Sequence, residues 1–281
     1  MLVANPIDPS EFSAAILTEA SRLGLVLPGL HVLDQTTSTN QVAWELAKTG
    51  APPGTIVIAL QQSAGRGQWG RQWSSPLGGL YLSRYFEPQL GPEDGAQLTL
   101  AAAWGLAQTL RDRGVPVALK WPNDLVVQGR KWGGLLTETR LAGGAIARAV
   151  TGLGLNWSNP VPDTGINALE LWADRPDPPI RSLAELAAGA IAGLTRGEHQ
   201  RQTGGIESFL ADYLELLETR GRPVQVGDRT GIAVGITPRG ELRVKLSDAI
   251  ATELHLPPGS IRLGYARQPT TSTNTTAINP D

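Results

Sequence analysis

The sequence has no cysteine, only three histidines and a single methionine, and its charges nearly cancel, with 24 Lys and Arg against 26 Asp and Glu. Without thiols there are no disulfides, no thiolate metal sites and no cysteine nucleophile, which fits a reducing compartment such as the cytoplasm. His31, His199 and His255 lie far apart, so a zinc site would have to be assembled by the fold alone. A formal net charge of −2 gives no overall basic field, so the totals point to no nucleic acid and no anionic membrane as partner. Any anion site must be local. No stretch reaches the roughly 18 apolar residues of a membrane span. The opening MLVANPIDPSEF has neither the basic nor the apolar region of a leader peptide, which predicts a soluble, cytoplasmic protein.

What is present is enough to bury a core, since 41% of the 281 residues are apolar. Asp8 and Glu11 at capping-box spacing, Pro9 in the first turn, an apolar set of Phe12, Ile16, Leu17 and Leu23, and Gly24 as a stop predict a helix over 8–24. A second helix is expected from about Ser38 to Lys48, and further helices over 93–112, 182–195 and 206–218. TIVIAL (55–60) and GLYLSRYF (79–86) read as strands. VALKW, DLVVQ, KWGGLLTE and AIARAVTGLGLNW read likewise, with links short enough to favour antiparallel pairing. From residue 221 five brief strand candidates, RPVQVGD, TGIAVGITP, GELRVKL, ATELHLP and SIRLGYA, suggest a small β-barrel module. The final QPTTSTNTTAINPD has the composition of a disordered tail.

Gly65, Gly67 and Gly70 in AGRGQWGRQW have the G-x-G-x-x-G spacing of a dinucleotide-binding turn. The context contradicts that reading. Pro76, Gly78 and Gly79 forbid the crossover helix that must follow, and the chain runs directly into another strand. Glu87, at the distance of a ribose-binding acid, follows no helix. No kinase HRD or DFG element and no phosphate-loop motif occurs. The glycines nonetheless let backbone approach a ligand, and Arg66 and Arg71 are fixed cations able to grip phosphate or carboxylate. This is an anion clamp or, on spacing alone, a surface loop with solvated arginines.

Three further stretches bear on the choice. KWPNDL (120–125) sets Lys120, Asn123 and Asp124 around a proline turn, where Asn and Asp also serve simply as turn formers. QGRKWGG (128–134) puts Lys131 just past a glycine turn, either over a site or as an ordinary hairpin lysine. GLGLNW (152–157) has glycines that permit close approach and an Asn156 able to bond a ligand, or is a core strand.

Taken in order, TSTNQ (37–41), QQSAGRGQWGRQW (61–73), KWPNDL, GRKWGGLLTE (129–138) and GLGLN resemble the motif series of the biotin protein ligases, or biotin–[acetyl-CoA-carboxylase] ligases. The motifs cover roughly residues 31–160. The resemblance implies an α+β catalytic domain with a mainly antiparallel sheet, related to class II aminoacyl-tRNA synthetases, and an SH3-like C-terminal β-barrel. The divisions are then an N-terminal helical extension at 1–30, a catalytic domain at 31–220, the small module at 221–268 and the tail at 269–281.

The same resemblance implies the chemistry. Biotin and ATP, with Mg²⁺, would give biotinyl-5′-AMP, and a lysine of a biotin carboxyl carrier protein would then take the biotin. Ser38, Thr39, Asn40 and Gln62 would hold the biotin head. Arg66, Gly67 and Gln68 would line the carboxylate end, and Arg71 would meet the phosphates. Lys131 would touch both the carboxylate and the phosphate, and with Arg66 would be catalytic. Trp73 would pack near the adenine or order the loop, and Asn123 and Asn156 would help place nucleotide and metal; no metal ligand is assigned. Gln68 stands where many members carry a basic residue, which implies a leakier adenylate. Some relatives add a DNA-binding domain and act as operon repressors. Here only about 30 residues, with one helix, precede the first motif, so a monofunctional ligase, monomeric or homodimeric, is expected, with a bifunctional ligase and biotin-operon repressor as the alternative. The arginine-serine-glycine signature of lipoate ligases is not seen.

Overall fold

The computed structural model describes residues 7–247, 252–261 and 263–265. Helix α1 (Pro9–Arg22) begins where an Asp8 carboxylate oxygen accepts from the backbone N–H groups of Ser10 and Glu11, at 2.8 and 3.1 Å. That is the predicted cap. It buries Phe12, Ile16 and Ala20, an i, i+4, i+8 stripe, whereas Leu17 and Leu23 point to solvent. The apolar face is thus narrower than the sequence suggests, because only one stripe touches the sheet and the helix behind it.

Strand β1 (Leu30–Thr36) pairs in parallel with β2 (Ile56–Gln62), and α2 (Thr39–Lys48) makes the crossover between them. The sheet continues antiparallel through β3 (Gly79–Phe86), β4 (Ala118–Lys120), β5 (Asp124–Val127), β6 (Arg130–Ala142) and β7 (Ala145–Asn156). Its order is β1-β2-β3-β7-β6-β5-β4, so one parallel pair joins an otherwise antiparallel seven-stranded sheet.

Alternation along the strands divides the molecule into layers. Val57, Tyr85 and Val150 face Ala43, Trp44 and Ala47 of α2. Ile56, Ile58, Leu80 and Leu82 face the main core, roofed by α3 (Ala96–Asp112) and, beyond the short α4 (Ala168–Leu171), by α5 (Leu183–Gly204). Helices α3 and α5 approach so closely that a Cβ at Gly105 or Gly197 would overlap the opposite backbone. Helix α5 extends nine residues beyond the expected end at 195. The added turns are polar and offer no apolar stripe, but Glu198 there pairs with Arg84 of β3. Helix α6 (Glu207–Leu216) leads to a second sheet, β8 (Pro223–Val226), β9 (Arg229–Ile236), β10 (Leu242–Leu246) and β11 (Glu253–Leu256).

The second sheet is antiparallel throughout, in the order β11-β10-β9-β8. Val224, Ala233, Ile236, Leu242 and Val244 join the core under α3 rather than forming a separate one. The fifth strand expectation, SIRLGYA, gives no strand among the described residues. Instead the carbonyls of Leu263 and Gly264 accept from the Lys120 ammonium, the former at 2.9 Å. The tail expectation falls outside the described residues.

Candidate active site

On the α2 face of the sheet, α2 covers β7 at Val150, and the glycines of β6 and β7 follow beyond it. Leu136 pairs with Gly152 and Gly134 with Gly154, so the three glycines share this face with Leu136 and leave open space beside it. The vacancy is used on both sides. A Cβ at Gly152 would overlap the Asn40 amide, and one at Gly154 the Trp73 indole. The close approach expected from GLGLNW is therefore real, and the groups that approach are side chains of the site itself.

Above this floor lies a cleft of about 120 Å³, lined by Ser38, Thr39, Asn40 and Gln62 and by Arg66, Arg71 and Lys131. Gly67, Gln68, Trp73 and Asn123 also line it. Of the predicted site residues only Asn156 stands apart. Its amide is buried, donating to Ile166 O at 3.3 Å and accepting from Asn159 at 3.0 Å, while its backbone carbonyl takes the Trp132 N–H at 2.7 Å.

One end of the cleft is a tray of neutral polar groups. Gln62 Oε1 accepts from the Thr39 backbone N–H at 2.9 Å, capping the first turn of α2, and Gln62 Nε2 donates to Ser75 Oγ at 2.8 Å. Ser83 Oγ donates to Asn40 Oδ1 at 2.6 Å and lies 2.7 Å from Thr39 Oγ1. Asn40 Nδ2 donates to Glu138 Oε2 at 3.2 Å. Each orientation is set by a neighbour, so the tray is fixed before any ligand arrives. Ser38, buried at the helix start, makes no capping bond and faces the cleft.

The other end is cationic. The glycine loop folds back on itself, with Gly67 N–H donating to Arg71 O at 2.7 Å and Trp73 N–H to Gly65 O at 2.9 Å. Trp69 takes a left-handed φ of 53° and Gly70 one of 72°, which turns the loop and points Arg71 back toward the cleft. Arg66 is held by the carboxylate of Glu138 on β6.

Lys131 reaches the site through an irregularity in the sheet. The β5–β6 register jumps between Leu125, opposite Gly133, and Val126, opposite Lys131, leaving Trp132 as the extra residue of a bulge. In an unbroken strand Lys131 and Gly134 would face opposite sides; the extra residue puts them on the same side. Trp132 turns into the core, and Lys131 Nζ sits 2.6 Å from Asp124 Oδ1 and 5.1 Å from the Trp73 ring centre. Asp124 Oδ1 makes no aligned hydrogen bond among the described residues, so its hold on the ammonium is one of charge.

KWPND proves to be the seam between the two sheets. Trp121 Nε1 donates to Gly240 O at 2.8 Å, and Asn123 Nδ2 to Leu135 O at 2.7 Å. The hydroxyl of Tyr265 donates to Asp124 Oδ2, and the Lys120 ammonium lies 3.1 Å from the centre of the Tyr265 ring. Burial lowers the Lys120 amine to about 8, against the opposing effect of Asp124. Burial first, and then the Asp124 charge, raise the Tyr265 phenol and keep it a donor. Glu138, Ser83 and Tyr265 were not foreseen. Nothing in a lone Ser on a strand, or a Tyr near residue 265, distinguishes them; Glu138 alone lay inside a motif.

In this α+β protein the cleft, floored by glycines, neutral at one end and cationic at the other, has the chemistry to receive a small ligand that carries a negative group. The chain belongs to the biotin/lipoate A/B protein ligase family, whose model matches residues 32–156. It is 32% identical to the biotin–[acetyl-CoA-carboxylase] ligase of Paracoccus denitrificans over 229 residues, 75% of this chain and 92% of that protein. It is 37% identical over 132 residues to the bifunctional ligase/repressor BirA of Bacillus subtilis. That match covers 46% of this chain, and the chain spans only 41% of the length of that relative. The biotin protein ligase from Aquifex aeolicus, solved in complex with biotin and ATP, superposes with a TM-score of 0.67 at 23% identity, over 85% of this chain and 99% of that one. The fold is therefore that of a biotin protein ligase.

Proposed function

We propose that the cleft joins the carboxylate of biotin to AMP and passes the acyl group to a lysine of a biotin carboxyl carrier protein. The observation that carries this reading is the convergence of Arg66, Arg71 and Lys131 on one cleft whose opposite end is neutral and polar. A carboxylate and a triphosphate repel each other, and three fixed cations lower that repulsion where the two must meet. In the first step a carboxylate oxygen attacks the α-phosphorus and pyrophosphate leaves, giving biotinyl-5′-AMP. In the second the carrier amine attacks the anhydride carbonyl, loses a proton, and AMP departs.

Ser38, Thr39, Asn40 and Gln62 meet the ureido head, which offers both donors and an acceptor. Lys131 stands between carboxylate and phosphate, Arg66 and Gly67 line the carboxylate, and Arg71 meets the phosphates. Trp73, over the floor at Gly154, offers a flat apolar face to the base, and Asn123 lies beside it. Asp124, the one carboxylate among the residues lining the cleft, already has one oxygen beside the Lys131 ammonium and the other on the Tyr265 hydroxyl, so Mg²⁺ would be held by phosphate and water oxygens. Its chemistry would be to neutralise the departing pyrophosphate. We read the catalytic sheet as related to class II aminoacyl-tRNA synthetases and the small sheet as the SH3-like module of the family. Incubation with biotin, ATP, Mg²⁺ and a purified carrier domain, followed by mass analysis, tests the reading. A biotinyl increment on one carrier lysine is expected, and an unmodified carrier would refute it.

A further inference from the structure

We propose that Tyr265, brought by the C-terminal module, is a positioning residue for the activation step. Its hydroxyl fixes Asp124, and Asp124 fixes the Lys131 ammonium over the cleft. The inference rests on the ligase reading for its kinetic consequence, but not for its geometry.

The chain of contacts is continuous. Tyr265 O–H donates to Asp124 Oδ2; the other oxygen of that carboxylate lies 2.6 Å from Lys131 Nζ. The ring is itself held, since the Lys120 ammonium sits 3.1 Å from its centre while donating to the carbonyls of the two preceding residues. Lys131 Nζ lies 6.0 Å from the same ring. The Lys131 side chain is 28% exposed, and its four methylenes leave the ammonium several rotamers. Asp124 lacks an aligned hydrogen bond to it, so the direction of this carboxylate decides where the charge rests. Only Tyr265 donates to Oδ2 among the described residues.

The module also touches the glycine loop. A Cβ at Gly259 would overlap the indole of Trp69, so the stretch ending in Tyr265 packs on the loop carrying Arg66 and Arg71. Lys131, through Asp124, and Arg71, whose guanidinium lies 5.6 Å from the Trp69 ring centre, are thus set partly from the C-terminal side. Their arrangement depends on a segment that the ligase motifs of residues 31–160 do not include.

Tyr265→Phe keeps the ring over Lys120 and removes only the hydroxyl. Two measurements on the full chain test the proposal. The first is the rate at which Lys131 is acylated by an amine reagent, read by peptide mass mapping, which does not depend on any ligase activity. Loss of the hydroxyl is expected to speed labelling of Lys131 several-fold, with other lysines unchanged; equal labelling would overturn the proposal. The second is biotin-dependent exchange of pyrophosphate into ATP. For Tyr265→Phe kcat should fall about 10-fold, the worth of one hydrogen bond to a charged group, with KM for biotin held. In the double variant with Asp124→Asn the two losses should not multiply, because both remove the same support. Multiplying losses, or a fall that merely follows a lowered Tm, would make Tyr265 a structural clasp and overturn the role. Should the wild type show no exchange at all, it is the ligase reading that fails, and labelling alone then decides whether Tyr265 fixes Lys131.

Discussion

Arg66 and Glu138 meet through both terminal nitrogens and both oxygens, Nη1 to Oε1 at 3.1 Å and Nη2 to Oε2 at 3.2 Å. The arginine of the glycine loop is thereby tied to the sheet floor by a fork-to-fork contact. The same carboxylate accepts from Trp44 Nε1 at 3.0 Å and from Asn40 Nδ2 at 3.2 Å, so it joins loop, helix α2 and polar tray.

Glu138→Ala should therefore do more than free an arginine. The Arg66 pair is half exposed and by itself contributes little, but the buried Trp44 indole would lose its acceptor, which costs about 1–3 kcal/mol. Thermal unfolding should show a lowered Tm, and limited proteolysis should cut faster within residues 64–73. An unchanged Tm would remove Glu138 from its role as a hub.

Gly154→Ala tests the floor. The added methyl would meet the Trp73 indole, whose N–H has no acceptor among the described residues to resist its displacement. Displaced, the ring can no longer offer its face to a base. KM for ATP is expected to rise at least about 10-fold while affinity for biotin, held at the other end, changes little. Equal losses for both ligands would point to general collapse of the cleft.

The adenylate should leak more readily than it does with a guanidinium at position 68. Gln68 lines the cleft, and its Oε1 is buried without a donor among the described residues. In Gln68→Arg, release of biotinyl-AMP from the preformed complex should slow by about 10-fold, as expected for one added charge-assisted bond to a phosphate. Identical release rates would remove the idea.

Lys120 gives a pH signature. Its amine titrates near 8 when folded and near 10.5 in the free chain, chiefly because burial penalises the ammonium. Below 8 both states hold the proton and the folded protein bears the full penalty. Between 8 and 10.5 only the unfolded chain keeps it, so stability rises with pH in that window. Compared with Lys120→Met, the wild type should gain unfolding free energy between pH 8 and 10; a relative loss over that interval contradicts the assignment.

Much of this was written in the local sequence. β3 lies on GLYLSRYF, α1 begins at the Asp8 cap, and Arg66 and Arg71 of the loop line one cleft with Asn123 and Asp124 of KWPND, because turn chemistry and alternation act over short range. What escaped depends on distance or on counting. The extended α5 is held by Glu198 reaching Arg84, more than a hundred residues away. Lys131 faces the cleft only because a bulge at Trp132 reverses the strand parity, which no periodicity reveals. Tyr265 joins Asp124 across the seam between two sheets, and its own segment, expected as a strand, is captured by Lys120 instead.

The central claim is that Arg66, Arg71 and Lys131 act on one carboxylate and one nucleotide together. Biotin-dependent pyrophosphate exchange, measured without any carrier protein, isolates that step. The wild type should exchange, and Lys131→Ala should lose about 10²–10³-fold in rate, as for removal of a single charge-stabilising group, with its Tm nearly unchanged. Exchange by Lys131→Ala at the wild-type rate would contradict the account.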